Sequence, residues 1–291
     1  MNAPHTPVLL EEVLEWLRIR PDGIYADVTL GAAGHSEAIA ERLQSGRLIS
    51  LDQDAQALQI AEARLAKFGS KVSCVLSPFS RIAEVVHELG IPMVDGVLAD
   101  LGVSSMQLDR PERGFSFREA GPLDMRMSDA GEITAEEIVN RWPEKELADL
   151  LYREADEHDS RRIARAIVRA RPLRDTAHLA TVVAGARKQW GRQKLHPATK
   201  TFLALRIAVN RELEALGQFL SRVPATMNSG GRLVILTYHS GEDRMVTEAF
   251  KEAERQGTLK ILTKHVIRPS EEEERANPRS RSAKLRCAER V

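Results

Sequence analysis

The sequence of 291 residues is poor in the features that mark secreted, membrane and metal-binding proteins. It contains only two cysteines, Cys74 and Cys287, and each lies in an apolar, strand-like run. This placement predicts buried free thiols and argues against a disulfide or a metal site. No apolar run approaches the roughly 18 residues of a membrane span. Apolar residues 8–10 are followed at once by Glu11 and Glu12, which argues against a signal peptide and predicts a cytoplasmic protein.

Net charge is also absent, since 42 Lys and Arg residues balance 42 Asp and Glu residues, but the charges are unevenly distributed. Residues 132–159 hold ten acids and three bases, whereas residues 160–211 hold thirteen bases and the single acid Asp175. Ion pairing with the acidic residues 132–159 accounts for only some of the excess of bases in residues 160–211. The basic range therefore predicts a surface suited to phosphate contacts, and its candidate residues are Arg161, Arg165, Lys194 and Lys200.

Buried strands alternate with helices in the N-terminal third of the chain. The apolar pattern predicts strands at residues 24–30, 47–51, 72–75 and 94–100. Such alternation at short spacing is typical of a parallel sheet with helices on both faces. A fifth strand at residues 230–238 and two closing strands near residues 259–263 and 283–288 complete the predicted sheet.

Candidate ligand residues follow the carboxyl ends of these strands. The turn at residues 31–34 carries two glycines before a helix N-terminus, where backbone N–H groups can face a ligand. Asp52 lies 21 residues after Gly31, about the spacing of an acid that binds ribose hydroxyls. Helix capping is the alternative role for Asp52, although Asp54 can cap that helix alone. We expect the turn, Asp52, Phe79 and Asp100 along one crevice.

Between Asp100 and the fifth strand, the pattern changes to a polar, glycine-rich passage and then to helices. The passage at residues 109–131 also holds apolar side chains, so we do not expect it to be disordered. Helices are predicted over about residues 135–156, 160–170 and 176–189, with one long helix over 198–219. We expect residues 1–130 and 205–291 to form the core, with an active-site loop at 101–130 and a helical insertion at 131–204. The acidic residues 271–274 are expected in a solvated loop.

The number and spacing of glycines in the turn distinguish two classes of ligand. Nicotinamide oxidoreductases usually carry Gly-x-Gly-x-x-Gly, whose glycines accommodate a pyrophosphate. Here Ala33 takes the place of the middle glycine, and the loop is shorter. S-adenosylmethionine has no pyrophosphate, so a turn with fewer glycines suffices. The two closing strands also suit a methyltransferase sheet better, and the sequence therefore favours a methyltransferase over an oxidoreductase.

Ordered motifs from His5 to Arg290 resemble those of one known family. They include RGFSF at residues 113–117, GPLDMRM at 121–127, HPAT at 196–199 and NPRSRS at 277–282, with others at 5–10, 30–36, 100–105, 107–109, 162–167 and 206–210. The family is MraW, also called RsmH, which methylates ribosomal RNA. The resemblance implies an α/β fold: a Rossmann-like class I S-adenosylmethionine-dependent methyltransferase core with an inserted helical RNA-recognition domain. It also implies N4-methylation of a cytidine in the decoding centre of 16S ribosomal RNA.

The resemblance further implies S-adenosyl-L-methionine as cofactor and the small ribosomal subunit as partner, with no metal and no membrane, and it leaves a homodimer open. The cofactor contacts that it implies fall on Ala33, Gly34, His35, Asp52, Phe79, Asp100 and Gln107. Spacing alone does not find Gln107. The chain departs from the family at Ala33, where glycine is usual, and at Tyr238 and Gly241, where phenylalanine and leucine are usual.

Two carboxylates are the candidate catalytic groups. The exocyclic amine of cytosine is a poor nucleophile, and a hydrogen-bond acceptor beside it stabilises the developing positive charge. Asp100 is the first candidate, with the alternative that it only holds the amino acid part of the cofactor. Asp124 is the second.

Aromatic and histidine side chains raise further expectations. Phe115, Phe117 and Tyr238 could stack on an extruded base, although core packing is expected for at least two of them. His35 is expected to act through its backbone, and structural roles are favoured for His196 and His239.

Three other functions compete with this interpretation. A methyltransferase of amino groups in DNA usually carries a Pro-Pro-aromatic tetrapeptide after the fourth strand, and residues 101–104 do not form one. A non-catalytic RNA-binding assembly factor could keep the crevice as a relic. A nicotinamide oxidoreductase is the third alternative.

Overall fold

The structure is a computed structural model that describes residues 7–128, 131–187 and 196–291. The chain divides into two compact units: the first is formed by Met1–Gly102 and Leu213–Val291, and the second is Val103–Glu212. The second unit is thus inserted in the first, but its limits differ from the expected 131–204. Lys194, the first two residues of the motif at 5–10 and the predicted helix end at 189 lie outside the described residues.

The strands of the first unit form one seven-stranded sheet in the order β3-β2-β1-β4-β5-β7-β6. Their bounds are β1 Ile24–Asp27, β2 Arg47–Asp52, β3 Val72–Leu76, β4 Val94–Asp100, β5 Met227–Thr237, β6 Leu259–Ile261 and β7 Lys284–Arg290. Strands β1 to β5 pair in parallel, whereas β7 is antiparallel to both β5 and β6. Asp27 pairs with Ser50 and with Leu98, so the carboxyl ends of β1, β2 and β4 lie side by side.

Helices connect these strands and build the second unit. Their bounds are α1 Leu10–Leu17, α2 Gly34–Arg42, α3 Ala55–Leu65, α4 Ile82–Glu88, α5 Ser105–Leu108, α6 Ala135–Arg141, α7 Glu144–Ala155, α8 Ser160–Arg169, α9 Thr176–Ala186, α10 Thr199–Asn210, α11 Glu212–Arg222, α12 Ser240–Arg255 and α13 Glu271–Ala276. No helix within the described ranges is long and apolar enough to cross a bilayer.

Alternation along each strand supplies two apolar layers to the first unit. Successive strand side chains point to opposite faces, so Leu48 and Leu98 pack with α1 and α2, whereas Ile49 and Val97 pack with α4, α11 and α12. Helices therefore cover both faces of the sheet, which confirms the predicted arrangement. Both cysteines are free thiols, as predicted; Cys287 is buried and Cys74 is half-buried.

The core of the second unit contains side chains from the polar passage as well as from the helices. Phe115, Leu123, Met125 and Met127 are buried in the same apolar cluster as residues of α6 to α10. Asn210 at the end of α10 holds this passage: its Nδ2 donates to the Met125 carbonyl at 2.8 Å, and its Oδ1 accepts from the Met127 N–H at 2.7 Å. These contacts explain why residues 103–128 belong to the helical unit.

Three predicted elements differ in the structure. The long helix at 198–219 is two helices, because Arg211 takes a left-handed backbone with φ of 50° after α10. The helix at 135–156 is divided into α6 and α7, and Pro143 precedes the second of them. The acidic residues 271–274 are not a loop but begin α13, where Ser270 Oγ accepts from the Glu273 N–H at 3.1 Å. Acidic side chains in a first turn are stabilised by the helix dipole.

Candidate cofactor-binding and active site

The turn between β1 and α2 is tightly built. Gly31 and Ala33 both have left-handed backbones, with φ of 50° and 65°. A left-handed residue with a Cβ costs about 1–2 kcal/mol, which is a physical reason to expect glycine at the Ala33 position. A Cβ on Gly34 would lie 2.4 Å from Pro7 Cγ, so a side chain there requires Pro7 to move. The turn therefore presents its backbone closely at the sheet edge.

Asp52, at the end of β2, is held by two backbone donors. Its Oδ2 accepts from the Gly31 N–H at 2.8 Å, and its Oδ1 accepts from the Asp54 N–H at 2.9 Å. Helix α3 is capped by the Asp54 side chain, which accepts from the Gln56 N–H at 3.0 Å. Burial raises the pKa of Asp52 to about 6. Asp52 therefore does not cap α3, and its carboxylate lies beside the glycine turn.

Asp100, at the end of β4, is the centre of a second group of contacts. The Tyr238 hydroxyl donates to Asp100 Oδ1 at 2.7 Å, and His35 Nδ1 lies 3.7 Å from Asp100 Oδ2. The Asp100 backbone N–H donates to Thr29 Oγ1 at 2.6 Å. Burial raises the pKa of Asp100, while His35 and the Tyr238 hydroxyl oppose that rise. Burial and the Asp100 charge raise the pKa of Tyr238 well above its usual value.

Asp27 extends this group beneath the turn. Its Oδ2 accepts from Ser36 Oγ at 2.7 Å, its Oδ1 accepts from the Thr29 N–H at 3.1 Å, and Ser36 Oγ lies 2.9 Å from Ser50 Oγ. Burial raises the pKa of Asp27, and the neighbouring His35 opposes the rise. We call Asp27, Thr29, His35, Ser36, Ser50, Asp100 and Tyr238 the strand-end cluster. Sequence reasoning missed the roles of Asp27, Thr29, Ser36 and Ser50. A polar residue inside an otherwise apolar strand is the signal that could have found Asp27 and Ser50.

His35 contributes its side chain, not only the backbone expected from the sequence. The ring is buried, and its Nε2 lies 3.0 Å from the Val8 carbonyl oxygen. His239 has the structural role that was favoured: its Nδ1 caps α12 by accepting from the Gly241 and Glu242 N–H groups at 3.2 and 3.4 Å.

Phe79 follows β3 in a short turn of 3-10 helix, Phe79–Arg81. Its ring packs edge-on against Phe219 with centroids 5.6 Å apart. The backbone N–H of Ser77 donates to the Asp52 carbonyl at 2.9 Å, which ties this turn to the end of β2. Phe79 therefore supplies an apolar wall at the same sheet edge as Asp52.

The remaining predicted site residues belong to the second unit. Gln107 forms a capping box at α5, where its side chain accepts from the Ser104 N–H at 3.0 Å. Asp124 pairs with Arg126, whose Nε and Nη2 donate to its two oxygens at 2.8 and 2.9 Å, and this pairing lowers the pKa of Asp124. The first unit, by contrast, brings Ala33, Gly34, His35, Asp52, Phe79 and Asp100 to one edge of its sheet.

Two aromatic candidates for base stacking pack inside the second unit. Phe115 is buried, and Phe117 lies 4.6 Å from the His196 ring and 4.8 Å from the Phe202 ring. The expectation that at least two of the three aromatic candidates pack in the core is thus confirmed. The third, Tyr238, is bonded to Asp100.

Three carboxyl groups, those of Asp27, Asp52 and Asp100, lie at the ends of strands in the sheet of the first unit. Within the part of the chain that the structure describes, no lysine or arginine lies within ion-pair distance of Asp27, Asp52 or Asp100, and His35 is the neighbouring base. No group of three or more His, Cys, Asp or Glu side chains among the described residues is arranged to hold a metal ion. When ionised, these carboxyls would repel an anionic pyrophosphate and attract a cationic ligand.

Comparison with known proteins identifies the family. The MraW methylase family profile matches residues 2–291. The chain belongs to this family. A ribosomal RNA small subunit methyltransferase H from Solibacter usitatus is 50% identical over 285 residues, covering 98% of this chain and 99% of its own. One from Cyanothece sp. is 49% identical over 287 residues, covering 99% and 95%.

Membership of the MraW methylase family makes the chain a methyltransferase and agrees with its sheet order. The α/β fold expected from the sequence, a Rossmann-like class I methyltransferase core with a helical insertion, is confirmed. Among solved structures, an rRNA methylase from Streptococcus thermophilus matches with a TM-score of 0.45 at 11% identity, covering 97% of this chain and 93% of its own.

Proposed function

We propose that this MraW-family enzyme transfers a methyl group from S-adenosylmethionine to N4 of a cytidine in the decoding centre of small-subunit ribosomal RNA. The observation that carries the cofactor assignment is the set of acidic strand ends, Asp27, Asp52 and Asp100, which lack Lys or Arg ion-pair partners among the described residues. In their ionised forms these carboxyls suit a sulfonium cation better than an anionic pyrophosphate. The RNA assignment rests on the names of the relatives and on the motifs described above.

The residues of the first unit fit S-adenosylmethionine. Asp52 would accept hydrogen bonds from the ribose hydroxyls, Phe79 would contact the adenine, and the turn at Ala33 and Gly34 would face the ligand with its backbone. Gln107 stays a proposed cofactor contact because the family resemblance implies it. When bound, the cofactor supplies an electrophilic methyl group on its sulfonium.

Asp100 is the proposed catalytic carboxylate. A charged carboxylate can accept a hydrogen bond from the target amine, which localises the lone pair and stabilises the positive charge that develops on nitrogen. The same acceptor could instead hold the ammonium group of the cofactor. Asp124 stays the second candidate, although its bidentate bonds to Arg126 favour a structural role.

The basic face of α8 is the proposed RNA contact. Arg161 is exposed, and Arg165 is exposed with its Nε 3.5 Å from Glu144 Oε1. Lys200 is less suited to a phosphate contact because its Nζ donates to the Asp156 carbonyl at 2.7 Å. Neutralising Arg161 and Arg165 together should weaken RNA binding. It should also reduce the slope of log K against the logarithm of the salt concentration by about 1–2. The matched control is Lys251→Ala with Arg255→Ala on α12, two exposed bases of the other unit.

A methyl-transfer assay tests the function. Small-subunit particles from a strain that lacks this gene are incubated with the protein and labelled S-adenosylmethionine, and the modified nucleotide is mapped by mass spectrometry. We expect one N4-methylcytidine in the decoding centre, and its loss with Asp100→Asn but not with Asp22→Asn, an exposed acid of the same unit. Methylation of DNA alone, or cofactor binding without transfer to RNA, would contradict the proposal.

A further inference from the structure

The phenol of Tyr238 is placed by the sheet beside the proposed catalytic carboxylate. Asp100 pairs with Leu236 across β4 and β5, and Tyr238 lies two residues further along. The hydroxyl donates to Asp100 Oδ1 at 2.7 Å. A Cβ added to Gly102 would meet the Tyr238 ring at 3.6 Å, so the ring also rests against the chain that leaves β4. Packing and a hydrogen bond thus fix both the ring and the carboxylate that it contacts.

The other oxygen of Asp100 faces a histidine whose protonation is constrained. The Val8 carbonyl can only accept a hydrogen bond, so His35 Nε2 must carry a hydrogen to bond it at 3.0 Å. In the neutral ring, Nδ1 then has a lone pair directed to the side of Asp100 Oδ2, 3.7 Å away. Unless one of the two groups carries a proton, no hydrogen bond can join these two atoms.

Other acids surround this pair. The titratable groups that act most on Asp100 or Tyr238 include Asp27, His35, Glu242 and Glu273. Glu242 is buried, and its Oε2 accepts from the Tyr238 N–H at 2.9 Å. Burial, together with the neighbouring Asp27 and Glu242, raises the pKa of Asp100. The Tyr238 hydroxyl opposes this, because a donated hydrogen bond stabilises the charged carboxylate.

We propose that Tyr238 is a positioning residue of the active site, whose hydroxyl fixes the rotamer of Asp100 and stabilises the charged form of that carboxylate. This inference rests on the proposed function, in which a charged Asp100 accepts a hydrogen bond from cofactor or substrate. Tyr238 itself does not exchange its proton during the reaction; it acts through Asp100.

The first test titrates the ligand-free protein. Carbon NMR of labelled aspartate side chains, with the Asp100 signal assigned by Asp100→Asn, gives the ionisation of Asp100 directly. Tyr238→Phe removes a single oxygen and should raise the midpoint of the Asp100 titration by about 1–2 pH units, the value of one hydrogen bond to a charged group. Tyr152→Phe, at an exposed tyrosine of α7, should leave it unchanged. An unmoved midpoint in Tyr238→Phe overturns the proposal, whether or not the protein binds a cofactor.

The second test measures S-adenosylmethionine affinity by calorimetry between about pH 5 and pH 9. We expect the pH below which the affinity falls to be higher in Tyr238→Phe than in wild type, by the same number of pH units as the Asp100 midpoint. At alkaline pH the two affinities should agree within about threefold. A uniform loss of affinity at every pH would mean that the tyrosine only packs, which contradicts the proposal. Failure of the wild-type protein to bind S-adenosylmethionine would instead refute the proposed function, and the NMR titration would still decide the role of Tyr238.

Discussion

The pH dependence of cofactor binding follows from the burial of Asp52. A ribose hydroxyl donates to a charged carboxylate, so binding requires the ionised form. Because the pKa of Asp52 is raised to about 6, the free protein holds this carboxyl mostly ionised at neutral pH and mostly protonated one unit below that pKa. The affinity for S-adenosylmethionine should therefore fall as the pH falls. The expected loss between about pH 7 and pH 5 is about tenfold, or about 1.4 kcal/mol.

Calorimetric titration with S-adenosylhomocysteine, which has no sulfonium charge, isolates this effect from the attraction of the cation. The variant Asp52→Asn should bind at least about tenfold more weakly at neutral pH, because a charge-assisted hydrogen bond contributes about 1.5–3 kcal/mol. The pH dependence of affinity that remains in Asp52→Asn belongs to other groups, Asp100 among them. Subtracting it from the pH dependence of wild type leaves the contribution of Asp52. If wild type and Asp52→Asn lost affinity equally between neutral and acid pH, the reasoning about Asp52 would be refuted.

Two further predictions concern stability. Gly34→Ala should destabilise the protein by about 1–3 kcal/mol and weaken cofactor binding, since its methyl would overlap Pro7. Gly185→Ala should instead stabilise the protein by about 0.5–1 kcal/mol, because Gly185 lies in α9 and an added Cβ there meets no atom within 4 Å. Urea unfolding compares the two, and equal effects would contradict the geometry. Asn210→Ala should cost about 1–3 kcal/mol, because the Met127 N–H and the Met125 carbonyl lose their partners. It should also increase hydrogen exchange at residues 121–128, and unchanged exchange there would refute the role of Asn210.

The fold was largely predictable because its cause is local. The period of apolar residues indicates a strand or a helix without knowledge of any distant contact, and the short connections restrict how consecutive strands can be arranged. The sequence missed the break at Arg211, where a left-handed residue ends one helix and the next begins. It also misplaced the limits of the helical unit, because apolar residues in an irregular passage do not indicate which core they join.

The candidate site was predictable only where it follows strand ends. Asp52, Phe79 and Asp100 were placed by the rule that ligands bind at the carboxyl edge of a parallel sheet. Gln107 required the family resemblance, since it caps a short helix outside that pattern. The side-chain role of His35 was missed because it depends on Val8, a residue 27 positions away that packs beside it only in the folded chain.

The sequence by itself determined the strand-helix order, the glycine turn, the acids at the ends of the second and fourth strands, and the family. Those properties depend only on residue type and spacing, which can be read from the sequence without knowing the folded structure. Tertiary structure alone decided how the acids behave: which donors reach Asp52 and Asp100, how far burial raises the pKa of each, and that Tyr238 and His35 contact opposite oxygens of one carboxylate. Hydrogen bonds and desolvation depend on distances of a few ångströms between residues remote in sequence, and only the packed fold sets those distances.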